Sequence, residues 1–135
     1  MVVPDLLYQR ELESDNGPLL RKLGLGVVEL NPDEVTFAQQ LRKDKPGLSL
    51  PDCFALSCAR REGHALVSGD MLLRNEATAR KCTVFGLLWI LDQIEASAKV
   101  GPAKLHDGLS RIWNHPRCRL PKGEVTSRLQ RWTTP

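Results

Sequence analysis

The sequence lacks the features that would place it in several large classes of protein. Its longest apolar run, around Phe85 to Leu91, ends at Asp92 and is shorter than the roughly 18 residues that a membrane-spanning helix needs. No G-x-S-x-G, G-x-G-x-x-G or P-loop spacing is present. We therefore expect a soluble protein that contacts no membrane, and nothing indicates a serine hydrolase, a dinucleotide enzyme or a P-loop nucleotidase.

Cysteine is scarce and its spacing is uninformative. The four cysteines, Cys53, Cys58, Cys82 and Cys118, form no C-x-x-C pair, and the first two lie in an apolar helical run. We expect reduced thiols in a cytoplasmic protein. His115 and Cys118 have a spacing that can begin a zinc site, but no second ligand pair is visible, so a structural or surface role is preferred.

Positive charge is concentrated at the carboxyl-terminal end. The net charge is +3, yet residues 99–135 hold eight Lys and Arg against two acids, which gives +6 there and −3 elsewhere. Lys122, Arg128 and Arg131 are candidates for contacts with a phosphate backbone, which rewards such charge by releasing counterions. The alternative is a solvated helical surface. Only two tryptophans are available for base stacking, so the tail alone does not identify a nucleic-acid-binding protein.

The pattern along the chain predicts a single helix-rich α/β fold. At 135 residues the chain can bury one core. Strands that alternate with helices indicate a parallel sheet. Strands are predicted at residues 26–30, 64–68 and 82–85, the second of them covered on both faces. Helices are predicted at residues 2–12, 19–23, 31–43, 49–62, 70–80, 87–98, 103–113 and 121–132.

Two aspartates are the strongest candidates for chemistry. Asp52 begins a helix that is apolar nearly all round, and a buried carboxylate is costly unless it is paired, hydrogen-bonded or bound to metal. Asp70 follows the carboxyl end of the strand at 64–68, where ligands gather in open α/β sheets. Each has a purely structural alternative, as a first-turn acid and as an N-cap respectively. Ser68 either orients a carboxylate or touches phosphate, or is an ordinary strand-end hydroxyl.

Carboxylate oxygens are suited to particular cations. An all-oxygen set with water fits Mg²⁺ or Mn²⁺ rather than zinc. Such ions lower the pKa of a bound water and stabilise the leaving oxygen of a phosphodiester. Asp52 and Asp70 therefore predict a site for Mg²⁺ or Mn²⁺.

Two linked acidic motifs resemble the second half of a PIN domain. They are L-S-L-P-D-C at residues 48–53 and A-L-V-S-G-D at residues 65–70, and the similarity continues through T-V-F-G-L-L-W-I-L-D at residues 83–92. The resemblance implies a three-layer α/β/α fold with a small parallel sheet over residues 1–98, and a basic helical extension over residues 99–135 packed on the same domain. It also implies that Asp52 and Asp70 are metal ligands, joined by Glu11 or, failing that, Glu13.

The sequence departs from the family pattern at its amino-terminal end. PIN domains begin with a central strand that ends in the first metal-binding aspartate, and Met1-Val2-Val3-Pro4 leaves no room for it. We expect either a late start within a longer gene product or an impaired relative, and the missing strand accounts for the few strands predicted.

The function implied is that of a metal-dependent ribonuclease similar to the toxin of a toxin–antitoxin pair, with RNA as substrate, a homodimer and an antitoxin partner. The candidate nucleic-acid contacts are Ser68, Arg74, Lys122, Arg128 and Arg131. The alternative is a non-catalytic PIN fold that binds protein or RNA.

Overall fold

The computed structural model describes residues 1–133, and Thr134 and Pro135 lie outside the described residues. The chain forms two compact units, Met1–Val84 and Phe85–Pro135. The fold is helix-rich α/β with small parallel sheets, as predicted. The predicted domain division at residue 98 stays a prediction. None of the helices in the described part is long and apolar enough to cross a membrane.

The first unit contains most of the strands. Its elements, with β4 crossing the boundary between the units, are β1 (Val2–Pro4), α1 (Asp5–Leu7), a π-helical segment (Tyr8–Leu12), α2 (Gly17–Lys22), β2 (Gly26–Val28), α3 (Pro32–Asp44), α4 (Leu50–Ala59), β3 (Leu66–Val67), α5 (Met71–Ala79) and β4 (Val84–Phe85). The second unit continues with α6 (Leu87–Ala96), α7 (Pro102–Trp113) and α8 (Lys122–Thr133).

Strand β1 corrects the prediction of a helix that begins at residue 2. Val2 to Pro4 pair in parallel with Gly26 to Val28 of β2. Two β-branched valines favour a strand, and the residue before a proline is disfavoured in the α region. Gly26 allows the close pairing, because a Cβ there would lie 3.0 Å from the Cγ1 of Val2. Helix begins only at Asp5 and turns π-helical at Tyr8.

Strand β3 is shorter and more open than predicted. Only Leu66 and Val67 form it, with the amide of Leu66 donating to the carbonyl of Thr83 at 2.9 Å. The prediction of a strand covered on both faces was wrong, because Val67 is 39% exposed while Leu66 is buried. Both sheets are two-stranded, so no strand within residues 1–133 lies between two others. This agrees with the small number of strands expected from the sequence.

Helix α4 is the centre of the first unit. Six of its ten residues are buried, and it contacts α1, α3, α5, β1 and β3. The Ser49 hydroxyl accepts the amide of Asp52 at 3.2 Å, which confirms the predicted cap. Burial raises the pKa of the Cys53 and Cys58 thiols, so both remain protonated packing groups.

The carboxyl-terminal end of α4 is held against the beginning of α3 by Arg61. Its guanidinium donates to both oxygens of Glu34 at 2.7 and 2.8 Å and to the carbonyl of Glu29 at 2.6 Å. Glu34 also forms a reciprocal capping box with Asn31, and the Ser57 hydroxyl donates to the Glu34 carbonyl at 2.7 Å. The hydrogen bond from Arg61, with lesser help from Asn31, lowers the pKa of Glu34 to about 2.

The second unit is built on a separate apolar cluster. Its buried members are Leu88, Leu91, Leu105, Leu109, Val125 and Trp132, and α7 packs against α8 over most of their length. Helix α6 ends at Ala96, and Ala98 then adopts a left-handed conformation with φ of 59°. This conformation is costly for an L-residue with a side chain.

The pKa of Glu34 generates a prediction on pH dependence. Because the folded-state pKa of about 2 lies below the ordinary value of 4.5, Glu34 stabilises the fold fully above pH 4.5. That contribution should be lost as the pH falls from about 4.5 towards 2. Denaturant unfolding at several pH values should show that the free energy of unfolding falls less steeply with decreasing pH in Glu34→Gln than in the parent. The exposed Glu62→Gln is the matched control, and an identical pH profile in parent and Glu34→Gln would contradict the prediction.

The left-handed Ala98 gives a prediction on stability. Ala98→Gly should raise the free energy of unfolding by about 0.5 to 1 kcal/mol, because glycine adopts this conformation without a Cβ clash. The same change two residues earlier, Ala96→Gly, should lower it by a similar amount, because that residue is helical. Thermal or urea unfolding of both variants tests this. A change of the free energy of unfolding in the same direction in both variants would refute it.

Candidate functional site

Asp52 occupies the first turn of α4. It is half-buried, and its amide is capped by Ser49 as the helix begins. An acid at this position interacts favourably with the positive end of the helix dipole. The structural alternative raised by the sequence is therefore satisfied, and the carboxylate also lies where the buried helix meets solvent.

Asp70 has the capping role that the sequence offered as its structural alternative. It follows β3 through Ser68 and Gly69 and caps α5, with its Oδ1 accepting the amide of Leu73 at 2.9 Å. The Ser68 hydroxyl accepts the amide of Asp70 at 3.1 Å. Capping occupies one carboxylate oxygen, and Oδ2 of an exposed aspartate can still accept another ligand.

The beginnings of α4 and α5 are neighbours. Gly47 stands two residues before the Ser49 cap, and Leu72 lies in the first turn of α5. A Cβ on Gly47 would lie 2.8 Å from the Cδ2 of Leu72, so the two chain segments touch. Asp52 in the first turn of α4 and Asp70 at the cap of α5 each lie at a helix beginning, which favours negative charge, and their convergence on one site stays a prediction.

Glu11, unlike Asp52 and Asp70, does not lie at the beginning of an α-helix. It belongs to the π-helical segment Tyr8–Leu12, and both Glu11 and Glu13 are exposed. Short π-helical turns occur frequently at functional sites. Within residues 1–133 no three His, Cys, Asp or Glu side chains are grouped so that they could hold a metal ion. The ligand set Glu11, Asp52 and Asp70 stays a prediction.

Arg74 supplies a cation beside Asp70. It lies in the first half of α5, is half-buried, and its Nη1 donates to the Ser68 carbonyl at 2.8 Å. This bond ties the guanidinium to the turn that carries Ser68 and Asp70. The arrangement combines a carboxylate, a hydroxyl and an arginine, which are groups that bind phosphate or its counter-cation.

Asp5 is a carboxylate at a strand end that the sequence analysis missed. It follows β1 directly, and its Oδ1 accepts the amide of Leu6 at 2.8 Å and contacts the amide of Leu30 at 3.5 Å. The signal was the valine pair before Pro4, which marks a strand. Leu30 lies just before the beginning of α3. Its neighbour Glu29 accepts a hydrogen bond from Arg61, which follows the carboxyl-terminal end of α4. Asp5 is thus associated with the opposite end of α4 from Asp52.

The basic residues of α8 differ in their surroundings. Arg128 binds both oxygens of Asp92 at 2.8 and 2.6 Å, and Arg131 binds Asp92 at 3.1 Å and Glu95 at 2.8 Å. The hydrogen bond from Arg128 is the main cause that holds the pKa of Asp92 below its usual value. RNA contacts by Arg128 and Arg131 stay a prediction, and they compete with these carboxylates. Lys122 is exposed and begins α8.

Comparison with known proteins agrees with this architecture. A family model described as DUF3368, PIN domain, matches residues 1–134, so the chain belongs to the PIN-domain family, as the resemblance predicted. The PIN domain is a nuclease-like fold. No curated protein and no solved structure matches the chain.

The ion pairs of α8 generate a prediction on stability. Asp92→Asn should lower the free energy of unfolding by about 1 to 2 kcal/mol, mainly because it removes the two charge-assisted hydrogen bonds from the partly buried Arg128, with a smaller contribution from the exposed Arg131. Asp107→Asn is the matched control, since its pair with Arg111 is exposed and should contribute less than about 0.5 kcal/mol. Urea unfolding measures both. Equal losses would show that the Asp92 pairs are ordinary surface pairs.

Proposed function

We propose that this protein is a metal-dependent nuclease that acts on RNA, with Asp52 and Asp70 as its principal metal ligands. The observation that supports the proposal is that Gly47, in the loop before α4, lies against Leu72 in the first turn of α5. The membership of the PIN-domain family supports the nuclease class. The identity of the substrate as RNA is part of the proposal.

The donor chemistry of these residues fits Mg²⁺ or Mn²⁺. Mg²⁺ in proteins keeps several waters and is commonly bound by one or two carboxylates together with substrate phosphates. Asp52 and Asp70 can supply such a pair, and Glu11 is the proposed third acid. When bound, the cation lowers the pKa of a water and stabilises the leaving oxygen of the phosphodiester.

The protein groups around the two aspartates would orient the substrate. The positive end of the α5 dipole and the guanidinium of Arg74 favour a phosphate there. Ser68 holds the backbone of Asp70, which fixes the turn from which that carboxylate projects. Because donors that are already oriented cost little reorganisation, this arrangement would position a phosphodiester against the carboxylates.

We propose that cleavage by this chain is weak. The described residues bring no three metal ligands together, so affinity for the cation would rest on two carboxylates and the substrate. A role as the toxin of a toxin–antitoxin pair, with a homodimer and an antitoxin partner, is proposed on the family resemblance.

A second candidate function is a non-catalytic PIN fold that binds RNA or protein. It is favoured by one observation, the lack of a three-ligand group within residues 1–133. The two candidates differ in whether a divalent cation is needed. Cleavage and binding of the same RNA therefore separate them.

The test is cleavage of an end-labelled single-stranded RNA with Mg²⁺, with Mn²⁺ and with chelator. Slow cleavage that chelator abolishes is expected, and Asp52→Asn and Asp70→Asn should each reduce it at least about a hundredfold. Asparagine at residue 70 can still cap α5, so the loss would not reflect unfolding. Asp33→Asn, an exposed acid in the first turn of α3, is the matched control and should cleave normally.

Glu11 is tested against its neighbour in the same assay. Glu11→Gln should reduce cleavage and Glu13→Gln should not, if Glu11 is the third acid. Cleavage that ignores chelator, or that survives both aspartate changes, would refute the nuclease proposal. Tight RNA binding without any cleavage would establish the second candidate instead.

A further inference from the structure

The loop between α7 and α8 concentrates positive charge without acids. From residue 108 to residue 123 the chain contains no Asp or Glu, although it holds four Lys or Arg. Arg111 lies on α7 and pairs with Asp107. The remaining three, Arg117, Arg119 and Lys122, fall within six residues. We refer to residues 114–122 as the basic loop.

The basic loop has a defined conformation. The amide of Cys118 donates to the carbonyl of His115 at 3.0 Å, and the amide of Arg117 donates to the Nδ1 of the same histidine at 3.1 Å. Two prolines, Pro116 and Pro121, further restrict its backbone. The loop is therefore a turn fixed by His115 rather than an unconstrained connection.

Burial alternates along the loop and places the cations outwards. Cys118 and Leu120 are half-buried, and Leu120 packs against the apolar cluster of the second unit. Arg117 precedes Cys118, Arg119 lies between Cys118 and Leu120, and both arginines are exposed. Both are therefore accessible to a ligand in solution.

These cations differ from the arginines of α8. Arg128 and Arg131 are bound by Asp92 and Glu95. Within residues 1–133 no ion pair involves the side chains of Arg117, Arg119 or Lys122. Lys99 and Lys104 also have no ion pair within residues 1–133, but in the second unit it is the loop that brings three such cations within six residues.

We propose that the basic loop binds the phosphate backbone of single-stranded RNA through Arg117, Arg119 and Lys122. This assignment rests on the proposed function for the choice of RNA as partner. Arginine matches phosphate in charge and geometry, and backbone contacts need no particular base sequence. Leu120, the large apolar side chain of the loop, packs against the apolar cluster, so the loop lacks the exposed apolar centre that a protein interface normally has. An acidic protein partner is therefore the less favoured occupant.

The experiment measures binding of a fluorescent single-stranded RNA by the full chain at several salt concentrations, with chelator present to prevent cleavage. The loop variant changes Arg117, Arg119 and Lys122 to Gln. The control variant changes Lys99, Lys104 and Arg111 to Gln, which alters the net charge of the same unit equally. Circular dichroism checks that both are folded. Unlabelled polyglutamate serves as a competitor.

The loop variant should lose about 2 units of the slope of log affinity against log salt, because each lost contact with a single strand removes roughly 0.7. The control should keep its slope to within about half a unit. Equal flattening in both variants, an unchanged slope in the loop variant, or no RNA binding by the parent would each overturn the proposal. Displacement of RNA by an equal charge concentration of polyglutamate would overturn it in favour of an acidic protein.

The failure of this proposal is distinguishable from the failure of the nuclease proposal. Binding is measured under chelator, so it needs no divalent cation and does not depend on the aspartates as metal ligands. Loss of binding in Arg74→Gln with an unchanged loop variant would place RNA at the beginning of α5 and not at the loop. Normal binding with no cleavage would leave the loop assignment standing and remove the nuclease.

Discussion

The burial of helix α4 is the constraint on which the first unit depends. A helix that is apolar on nearly every side must be covered on every side, and α3, α5, β1 and β3 together do so although the strands are only two or three residues long. Its carboxyl-terminal end is fixed to α3 by Ser57 and Arg61. The polar beginning of the helix carries Asp52, and the loop before it contacts the first turn of α5, which Asp70 caps.

Arginine–carboxylate pairs perform the same task in both units. Arg61 joins α3 to α4 in the first unit, and Arg128 joins α8 to α6 in the second. Bidentate pairs of this kind fix the orientation of the joined helices as well as their distance. Arginines used in this way are less available to RNA. This is why the unpaired cations of the basic loop, rather than those of α8, carry the argument for RNA binding.

Much of the local structure was predictable from the sequence because its causes are local. The caps at Ser49 and Asp70 and the extents of most helices follow from residues within one turn. Strand β1 was missed because its partner β2 lies more than twenty residues away, and Arg61 with Glu34 was missed for the same reason. The position of Asp70 directly after β3 was predictable because strand, turn and helix are consecutive in the chain. A third metal ligand depends on tertiary geometry that no local pattern contains.

The central claim, that a divalent cation binds between the beginnings of α4 and α5, is tested most directly by paramagnetic broadening of backbone amide signals in a Mn²⁺ titration. The account predicts that signals of the first turns of α4 and α5, including Asp52 and Leu73, broaden first and together. Asp70→Asn should abolish this effect, while Asp33→Asn should not. Broadening centred on α3, or broadening that persists in Asp70→Asn, would contradict the account.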